Sequence, residues 1–433
     1  MFENIIEQDA VLQLRDDIKN GRYAPSMLFF GPGESGKGSA ALELARVFSC
    51  EEKGDWKCSC YSCQRHRFLQ HDDLLALGKR VFPAEIMACS SVFMRNPANN
   101  GAKLIFMRSL RKLLLRFSPV FLEDDPKLSK LASVIQSLDE ELSDFWVKAD
   151  SLDETALKKT CNSMIKNALV LESEGISSNI SIGHIRSASY WCRLAPNGKR
   201  KTLIIENAEN MRDEGRNSLL KLLEEPPSSV CIVLTAKRKE AIMPTILSRL
   251  RPYRFLKRSI ESEKEVIRRV FHDSGTCLNE YLDSFLPQST EKLYPLAAWF
   301  LVSLARISSM SAKKENPNNI PPILNALGER YAPIAESAGL ERCLKSAGVI
   351  KILLSQSGNF EDSSFTRFLK ICLEMVGDVT KTASNPEYIL YNDAFRKNIN
   401  ETINAVDVLN ISKAIALEAL FYKLKKALNK KAL

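Results

Sequence analysis

The pattern of apolar and polar positions divides the chain into a first part with strands and helices and a second part with helices alone. Three short apolar runs lack polar alternation, which is typical of strands buried on both faces of a parallel sheet. Helical spacing of apolar residues follows each run, so the first part is predicted to be an α/β domain. The runs are Met27–Phe30, Thr202–Ile205 and Val230–Leu234, and the helices are Ser39–Val47, Asp213–Glu225 and Ile242–Leu247.

Only helical patterns follow Phe255. Ser259–Phe271, Cys277–Phe285 and Lys292–Ile307 predict three helices, and Ser308–Pro322 has the composition of a linker. Amphipathic segments continue from about Ile323 to the end, so the second part is predicted to be all-α.

Residues from about 81 to 178 predict a small helical hairpin or bundle between two strands. One of its amphipathic helices, Lys103–Phe117, is basic, with Arg108, Arg111, Lys112 and Arg116. Two interpretations stay open: these cations contact DNA or a partner, or they form a solvated face over a local apolar core.

Composition is that of an ordinary soluble globular protein: 433 residues, 45% hydrophobic and 26% charged. The net charge of +9 permits nucleic-acid binding without requiring it. The N-terminal residues are acidic where a signal peptide needs basic ones. The longest uncharged apolar run, Leu293–Ala305, is too short to span a bilayer. We therefore expect a cytoplasmic protein without a membrane partner.

A glycine-rich loop joins the first strand to its helix and has the spacing of a P-loop. Such a loop aims backbone N–H groups at phosphate oxygens, and Lys37 would reach the β- and γ-phosphates. Gly38 stands where a Ser or Thr hydroxyl would hold Mg²⁺, and Ser39 comes one residue late. The loop predicts phosphate binding, the alternative being an empty relic. Its candidate residues are Gly31, Gly33, Gly36, Lys37, Gly38 and Ser39.

Four of the eleven cysteines lie within fourteen residues: Cys50, Cys58, Cys60 and Cys63. Four thiolates can close a tetrahedral structural zinc site, which stabilises a loop too short to bury a core. Free thiols, or three cysteines with His66 as the fourth ligand, are the alternatives.

The run N-S-L-L-K-L-L-E-E-P-P at 217–227, followed by a strand and T-I-L-S-R, is similar to the AAA+ core of bacterial clamp-loader subunits. The resemblance implies an AAA+ P-loop core over 1–256, with a parallel sheet and helices on both faces. This core would carry a zinc module at 50–63 and the insertion at about 81–178. An all-α lid over 257–310 and an all-α collar over 320–433 would follow.

The resemblance also implies a nucleotide site that has lost its hydrolytic carboxylates. Active AAA+ ATPases carry Asp-Glu after the central strand, for the Mg²⁺ shell and for the attacking water. This chain has Glu206 and Asn207, and a neutral amide cannot accept that proton. Thr235 completes the predicted site, for which ATP is possible and Mg²⁺ uncertain. In the opening segment beside the adenine, Glu7 stands where the family usually has glycine.

By the same resemblance, Arg249 of the Ser-Arg pair would face the ATP of a neighbouring subunit as an arginine finger. The alternatives are that Arg249 makes an internal salt bridge or that Arg251 is the finger. A retained arginine beside lost carboxylates indicates a stationary subunit rather than a motor.

The resemblance thus implies a non-catalytic clamp-loader subunit of the replicative DNA polymerase, without ATPase activity of its own. Its partners would be ATPase motor subunits, a clamp-opening subunit, the sliding clamp and primed DNA. An ATP-hydrolysing subunit of the same assembly, or a regulatory DNA-binding AAA+ module outside replication, is the alternative.

Overall fold

The computed structural model describes residues 1–122, 125–177, 179–286, 290–315, 321–341, 343, 345–356, 362–382, 387–407 and 411–429. The chain divides into two compact units, Met1–Phe285 and Leu286–Leu433. The division falls inside the span predicted as the lid, so the first two lid helices belong to the first unit and the third helix to the second.

The first unit is built on one five-stranded sheet whose paired strands all run parallel. The strands are β1 (Ser26–Phe30), β2 (Leu74–Leu77), β3 (Lys201–Ile205), β4 (Val230–Ala236) and β5 (Arg251–Arg254). Their order in the sheet is β2-β3-β4-β1-β5. Pro252 lies in β5, at an edge of the sheet, where its missing N–H costs no ladder bond.

Both faces of this sheet are covered. Leu28, Leu203 and Ile232 point into one apolar core, and Phe29, Ile204 and Val233 point into another. The strand runs therefore lack polar alternation, and the predicted sheet with helices on both faces is confirmed.

Fourteen helices surround the sheet in the described part of the first unit. They are α1 (Asp9–Lys19), α2 (Lys37–Ser49), α3 (Tyr61–Arg67), α4 (Pro83–Arg95), α5 (Asn100–Leu114), α6 (Pro119–Leu122), α7 (Pro126–Ser129), α8 (Ala132–Lys148), α9 (Glu154–Val170), α10 (Ile182–Arg193), α11 (Asp213–Glu224), α12 (Pro244–Leu247), α13 (Ile260–Val266) and α14 (Leu278–Ser284). A 3₁₀ turn over Leu115–Phe117 continues α5, and wider π turns continue α9 and α13.

The insertion predicted at about 81–178 is helical, as α4 to α9. Phe93, Phe106 and Phe145 pack there with ring centroids 5.6–6.0 Å apart. These rings belong to the same apolar core as one face of the sheet, so the insertion is not a separate appendage.

The second unit is a helical domain. Its helices are α15 (Thr290–Glu315), α16 (Pro322–Ser337), α17 (Ser346–Gln356), α18 (Asp362–Thr382), α19 (Glu387–Asp407) and α20 (Lys413–Asn429). Phe300 of α15 lies edge-on to Phe368 and Phe421, with centroids 5.6 and 5.8 Å away, at the centre of the core.

Helix α15 differs from the sequence-based expectation in two ways. It continues to Glu315, into the predicted linker, of which residues 316–320 lie outside the described residues. Its segment Leu293–Ala312 is also long and apolar enough, by length and composition alone, to cross a membrane. Since 72% of that window is buried among the helices of the unit, core packing accounts for its apolar character.

Candidate functional site

The predicted P-loop lies between β1 and α2 at the carboxyl edge of the sheet, where open α/β folds bind ligands. Gly31 has φ +149°, and a Cβ there would lie 2.1 Å from the carbonyl oxygen of Phe255. Only glycine allows this close passage of the chain after β5. Gly36 caps α2 in a left-handed conformation, while Gly33 is exposed and Ser39 half-buried in the first turn.

The Lys37 ammonium lies inside the loop that carries it. Its Nζ donates to the Gly31 carbonyl at 2.7 Å, to the Ser35 hydroxyl at 3.2 Å and to the Pro32 carbonyl. Burial lowers the pKa of Lys37 to about 8, against a smaller opposing effect of nearby carboxylates. The loop therefore supplies its own acceptors for the lysine.

Arg258, which the sequence did not single out, lies against the outer side of the same loop. Its Nε donates to the Glu34 carbonyl at 3.2 Å, and its Nη1 donates to the Ile6 carbonyl. A Cβ on Gly36 would lie 2.9 Å from Nη2 of this arginine. The loop is thus linked to the N-terminal segment and to the chain after β5.

A cluster of charged side chains occupies the end of β3. The Glu206 carboxylate accepts from Arg116 through Oε2 and lies 3.5 Å from Nη1 of Arg80 through Oε1. Arg80 also donates to Glu85 Oε2 at 2.6 Å, and Lys112 pairs with the other oxygen of Glu85. We call these five residues, Arg80, Glu85, Lys112, Arg116 and Glu206, the carboxyl-edge cluster.

Burial and ion pairing compete in this cluster. Burial alone would raise the pKa of Glu206, but the guanidinium groups of Arg116 and Arg80 outweigh it and hold the pKa below its usual value. The pKa of Glu85 falls to about 2, because Lys112 and Arg80 outweigh its burial in the same way. Both carboxylates are therefore charged in the folded protein at neutral pH.

The two arginines of the cluster come from the segment after β2 and from the end of the α5 helix. Both guanidinium carbons lie over the Phe82 ring, Arg116 at 5.5 Å and Arg80 at 5.8 Å from its centroid. Arg116 also donates through Nε to the Gly78 carbonyl at 3.2 Å. The segment just before the insertion and the end of its second helix thereby place two cations at the carboxyl edge of the sheet.

The basic helix predicted at 103–117 uses its charges inside the first unit. Arg108 donates to the carbonyls of His66 and Arg67 at the end of α3, and Arg111 pairs with Asp139. Lys112 and Arg116 belong to the carboxyl-edge cluster. Both interpretations left open for this helix, an external contact and a solvated face, are therefore wrong for these four side chains.

Asn207 takes part in backbone contacts. Its φ of +51° is left-handed, a region that asparagine tolerates better than most residues. Its side-chain amide donates to the Lys79 carbonyl at 2.5 Å, and its backbone N–H donates to the hydroxyl of Thr235 at 3.1 Å. The structure thus brings Glu206, Asn207 and Thr235 together. The polar contacts described for them are made with other groups of this chain.

Gly38 faces the carboxyl-edge cluster. A Cβ at this position would lie 2.6 Å from Glu206 Oε1 and 2.9 Å from Arg80 Nη1. The place of the metal-binding Ser or Thr hydroxyl is therefore next to an ion pair rather than to a free carboxylate. Glu206 and Gly38 do not fit Mg²⁺, because the Glu206 carboxylate is already compensated by two arginines and Gly38 offers no hydroxyl.

The opening segment reaches the same side of the fold. The Gln8 side chain accepts from the Leu256 N–H at 2.9 Å and donates to the Leu256 carbonyl at 3.1 Å. Glu7, just before it, has φ +48°. The resemblance leads us to expect glycine at this position. The left-handed backbone found there is one that glycine adopts without strain, and glutamate adopts it here.

Arg249 lies at the end of α12, and its side chain is 33% exposed. Its Nη1 donates to the Thr245 carbonyl at 2.6 Å, and its Nη2 pairs with Glu224 Oε1 at 2.7 Å. Glu224 is itself 49% exposed and belongs to the E-E-P-P run. The arginine is therefore at the surface, in an exposed intrachain ion pair of the kind that is weak in water.

Arg251, the second candidate finger, contacts the fold more extensively. It pairs with Asp17 at 2.5 Å and donates to the Arg22 carbonyl at 2.7 Å. The Tyr253 hydroxyl donates to the same Asp17 carboxylate at 2.9 Å, so Arg251 helps to fix α1 against β5.

The four cysteines of the predicted zinc module converge. Their Sγ atoms all lie within 4.8 Å of one another, and Cys50 Sγ is 3.6 Å from Cys58 Sγ. Sulfurs bound to one tetrahedral Zn²⁺ are about 3.8 Å apart, as expected for Zn–S bonds of about 2.3 Å. Backbone N–H groups of Gly54 and Cys63 donate to Cys50 and Cys60 sulfurs, the outer contacts that thiolates prefer. The residues fit a structural zinc ion.

Arg46 joins this module to the helix that follows the P-loop. It pairs with Glu43 at 2.7 Å, and both side chains are buried. It also donates to Cys63 Sγ at 3.0 Å and to the Gly54 carbonyl at 2.9 Å. Helix α2 begins at Lys37 and is capped by Cys50, so it spans the distance from the loop to the cysteines.

His66 lies beside the module without belonging to it. Its ring stacks on that of His71 with centroids 4.1 Å apart, and His66 is not part of the sulfur cluster. His71 accepts the Asp73 N–H through Nδ1, so its Nε2 carries the proton shared with Ser62. The three-cysteine alternative with His66 is not the geometry observed.

Sequence reasoning missed the partners rather than the motif residues. Arg80, Arg258 and Arg46 carry no local signal, since a single arginine near a motif is commonplace. In the sequence, Arg116 stands out only as one cation of a basic helix. A buried charge of either sign needs a partner, so the apolar surroundings of Arg116 were the one available hint.

Comparison with known proteins follows the same division of the chain. Residues 6–116 and 139–259, more than half of the chain, match the sequence profile of the family described as DNA polymerase III, delta subunit. The match passes over residues 117–138, which lie inside the predicted insertion.

Two proteins illustrate the similarity. An 81-residue segment is 35% identical to DNA polymerase III subunit delta′ of Pseudomonas aeruginosa. It covers 18% of this chain and a quarter of the length of that relative. A gamma subunit-related DNA polymerase III protein of Thermotoga maritima matches with a TM-score of 0.30 and 18% identity, over 58% of this chain and 81% of that one.

The match to the family profile spans the P-loop, the cysteine cluster, Glu206, Asn207 and Arg249, all in the first unit. By this match the chain belongs to the DNA polymerase III delta subunit family.

Proposed function

We propose that this chain is a non-hydrolysing, stationary subunit of a clamp loader that completes the ATP site of a neighbouring motor subunit with Arg249. The observation that carries the proposal is a contrast within one domain. Asn207 replaces the water-polarising carboxylate and is bound to the Lys79 carbonyl, whereas Arg249 stands at the surface.

Arginine suits this role because its guanidinium is permanently charged and planar, and it can bind the oxygens of a transferring phosphoryl group. The only charged partner of Arg249 among the described residues is Glu224, which is half exposed. A triphosphate on a neighbour carries more negative charge than one carboxylate, so exchange of partners costs little. Nucleotide binding by this chain is not required.

The test is reconstitution with motor subunits, a clamp-opening subunit, sliding clamp and primed DNA. Arg249→Ala should remove the share of the ATPase rate that comes from the one neighbouring site, where an arginine finger is worth roughly 10³-fold or more. Clamp loading should fall with it. Arg251→Ala is the matched control, because that side chain binds Asp17 and the Arg22 carbonyl instead. An unchanged ATPase rate in a fully assembled Arg249→Ala complex would defeat the proposal.

An ATP-hydrolysing subunit of the same assembly is the alternative. It predicts robust turnover by the purified chain that disappears in Lys37→Ala. A regulatory AAA+ module outside replication predicts no association with the other polymerase subunits at all, which the same reconstitution reads out by gel filtration.

We also propose one structural zinc ion at Cys50, Cys58, Cys60 and Cys63. Zinc supplies four directed bonds there and no catalytic chemistry, because four thiolates leave no open coordination position. Metal analysis should give about one zinc per chain, and Cys58→Ser should lower that content. Cys277→Ser, outside the sulfur cluster, is the control. Wild-type protein that is metal-free and well folded would contradict this site.

A cytoplasmic location is part of the proposal. None of the eleven cysteines, each within the described residues, forms a disulfide, and the seven outside the cluster are buried or half-buried. Unpaired thiols of this kind suit a reducing compartment.

A further inference from the structure

The environment of Glu206 is unusual for a P-loop domain. Its carboxylate is 9% exposed and faces Arg116, which is 8% exposed, and Arg80, which is 26% exposed. Arg80 is shared with Glu85, which also pairs with Lys112, so the five residues carry three positive and two negative charges, a net charge of +1. A divalent cation brought to the same oxygens would meet both guanidinium groups at short range.

Gly38 completes this arrangement. Any side chain at that position would displace the contact between Glu206 and Arg80, since a Cβ would lie within 3 Å of both. The glycine is therefore more than a lost metal ligand: its missing side chain is the space that the ion pair needs.

The remaining members of the carboxyl-edge cluster hold the two arginines in place. Glu85 of α4 binds Arg80, Lys112 of α5 binds Glu85, and the Gly78 carbonyl accepts from Arg116. The Phe82 ring lies beneath both guanidinium groups. Loss of either arginine removes one of the two cations that compensate the buried Glu206 carboxylate.

We propose that Arg80 and Arg116 take the place of the divalent cation in this pocket, so that the pocket binds no Mg²⁺ at Glu206, with or without a nucleotide. The carboxylate that follows β3 is compensated by the chain itself. The side chains of the carboxyl-edge cluster then keep the same ion pairs throughout the ATP cycle of a neighbouring subunit. This inference rests on the proposed non-hydrolysing role and explains how the fold enforces it.

The test uses the zinc-loaded full chain and Mn²⁺ as a paramagnetic substitute for Mg²⁺, with bound Mn²⁺ counted by electron paramagnetic resonance. Wild type should show no Mn²⁺ site that depends on Glu206, judged against Glu206→Gln. Arg116→Met, which keeps the length of the side chain without its charge, should gain one bound Mn²⁺ per chain. That site should disappear in the double variant Arg116→Met/Glu206→Gln.

Arg111→Met is the matched control, since Arg111 lies on the same helix and pairs with the exposed carboxylate of Asp139. It should gain no Mn²⁺. If Arg116→Met does not fold, Arg80→Met takes its place in the test. Arg80 is less buried than Arg116, and its replacement leaves the ion pair between Arg116 and Glu206 intact. A Glu206-dependent Mn²⁺ site in wild type, or folded Arg116→Met and Arg80→Met variants that both fail to gain one, would overturn the proposal.

A second measurement covers the nucleotide. The Tm of wild type with ATP should be the same with and without added Mg²⁺, whereas a metal-dependent nucleotide site would raise Tm by roughly 2–4 °C. A rise that requires both ATP and Mg²⁺ would overturn this inference. It would leave the Arg249 experiment intact, because that experiment reads the neighbour's site rather than this pocket.

Discussion

Two arginine-bearing regions of the first unit use the same functional group in opposite ways. Arg116, at the carboxyl edge of the sheet, is buried and bound to Glu206 and to the Gly78 carbonyl. Arg249, at the end of α12, is a third exposed and paired with one half-exposed carboxylate. The first guanidinium is buried within the fold, and the second lies at the surface.

The difference teaches that a motif can keep its position while its chemistry changes. The P-loop, the strand before Glu206 and the Ser-Arg pair all remain in place. The pocket behind the loop holds an internal ion-pair cluster, whereas Arg249 lies in an exposed ion pair at the surface. Stability experiments can separate the two regions, because buried and exposed ion pairs differ several-fold in what their disruption costs.

The largest expected effect is at Glu206. Glu206→Ala leaves Arg116 buried without its carboxylate, which should lower the free energy of unfolding by about 3–5 kcal/mol. The matched change at the surface is Glu224→Ala, which removes the partner of Arg249 and should stay within about 0.5 kcal/mol. Urea denaturation of both variants measures the comparison directly. Equal losses would mean that the two regions do not differ as described.

Gly38→Ser comes next. The added Cβ would lie 2.6 Å from Glu206 Oε1, so the ion pair must move, and we expect a loss of about 1–3 kcal/mol by calorimetry or urea titration. Gly33→Ser is the control, because a Cβ there meets no atom within 4 Å. A Gly38→Ser variant as stable as Gly33→Ser would show that the cluster has room for a hydroxyl.

Acid should weaken the cluster in a defined range. The folded-state pKa of Glu85 is about 2, below its unfolded value of 4.5. Its contribution is therefore complete above about pH 4.5 and is lost as the pH falls toward 2. Above about pH 4.5, wild type should exceed Glu85→Gln in free energy of unfolding by roughly 1–2 kcal/mol after solvent screening. This difference, measured by urea denaturation, should narrow as the pH falls toward 2. A constant difference would show that the Glu85 carboxylate does not titrate there.

The smallest effect is expected at Glu7. Its positive φ strains a residue with a Cβ, so Glu7→Gly should be neutral or stabilising by at most about 1 kcal/mol. Glu7→Ala keeps the Cβ and removes the carboxylate, which separates backbone strain from charge. A higher Tm for Glu7→Ala than for Glu7→Gly would contradict a left-handed backbone at this position.

Much of the fold could be predicted from local pattern. The apolar runs at Met27–Phe30 and Thr202–Ile205 became β1 and β3, because a strand covered on both faces needs apolar side chains on both. Helix α11 ends at Glu224, just before Pro226 and Pro227, as helix-breaking residues require. The four cysteines met because their spacing allows a single short loop to bring them together.

The candidate site was predictable only in part. Glu206, Asn207 and Thr235 could be placed at the sheet edge because strand ends in a parallel sheet share that edge. Their partners could not. Arg116 is 90 residues and Arg80 126 residues from Glu206 along the chain, and no periodicity carries information over such a distance.

The sequence by itself determined the α/β core, the glycine-rich loop, the cysteine cluster and the presence of an arginine after α12, since each depends on residues close together in the chain. Only the tertiary structure decided which charges meet: Arg116 and Arg80 at Glu206, Arg258 on the loop, and Glu224 beside Arg249. The physical reason is that backbone conformation and apolar periodicity are local, whereas an ion pair forms through space between whichever charged groups the packed elements bring into contact.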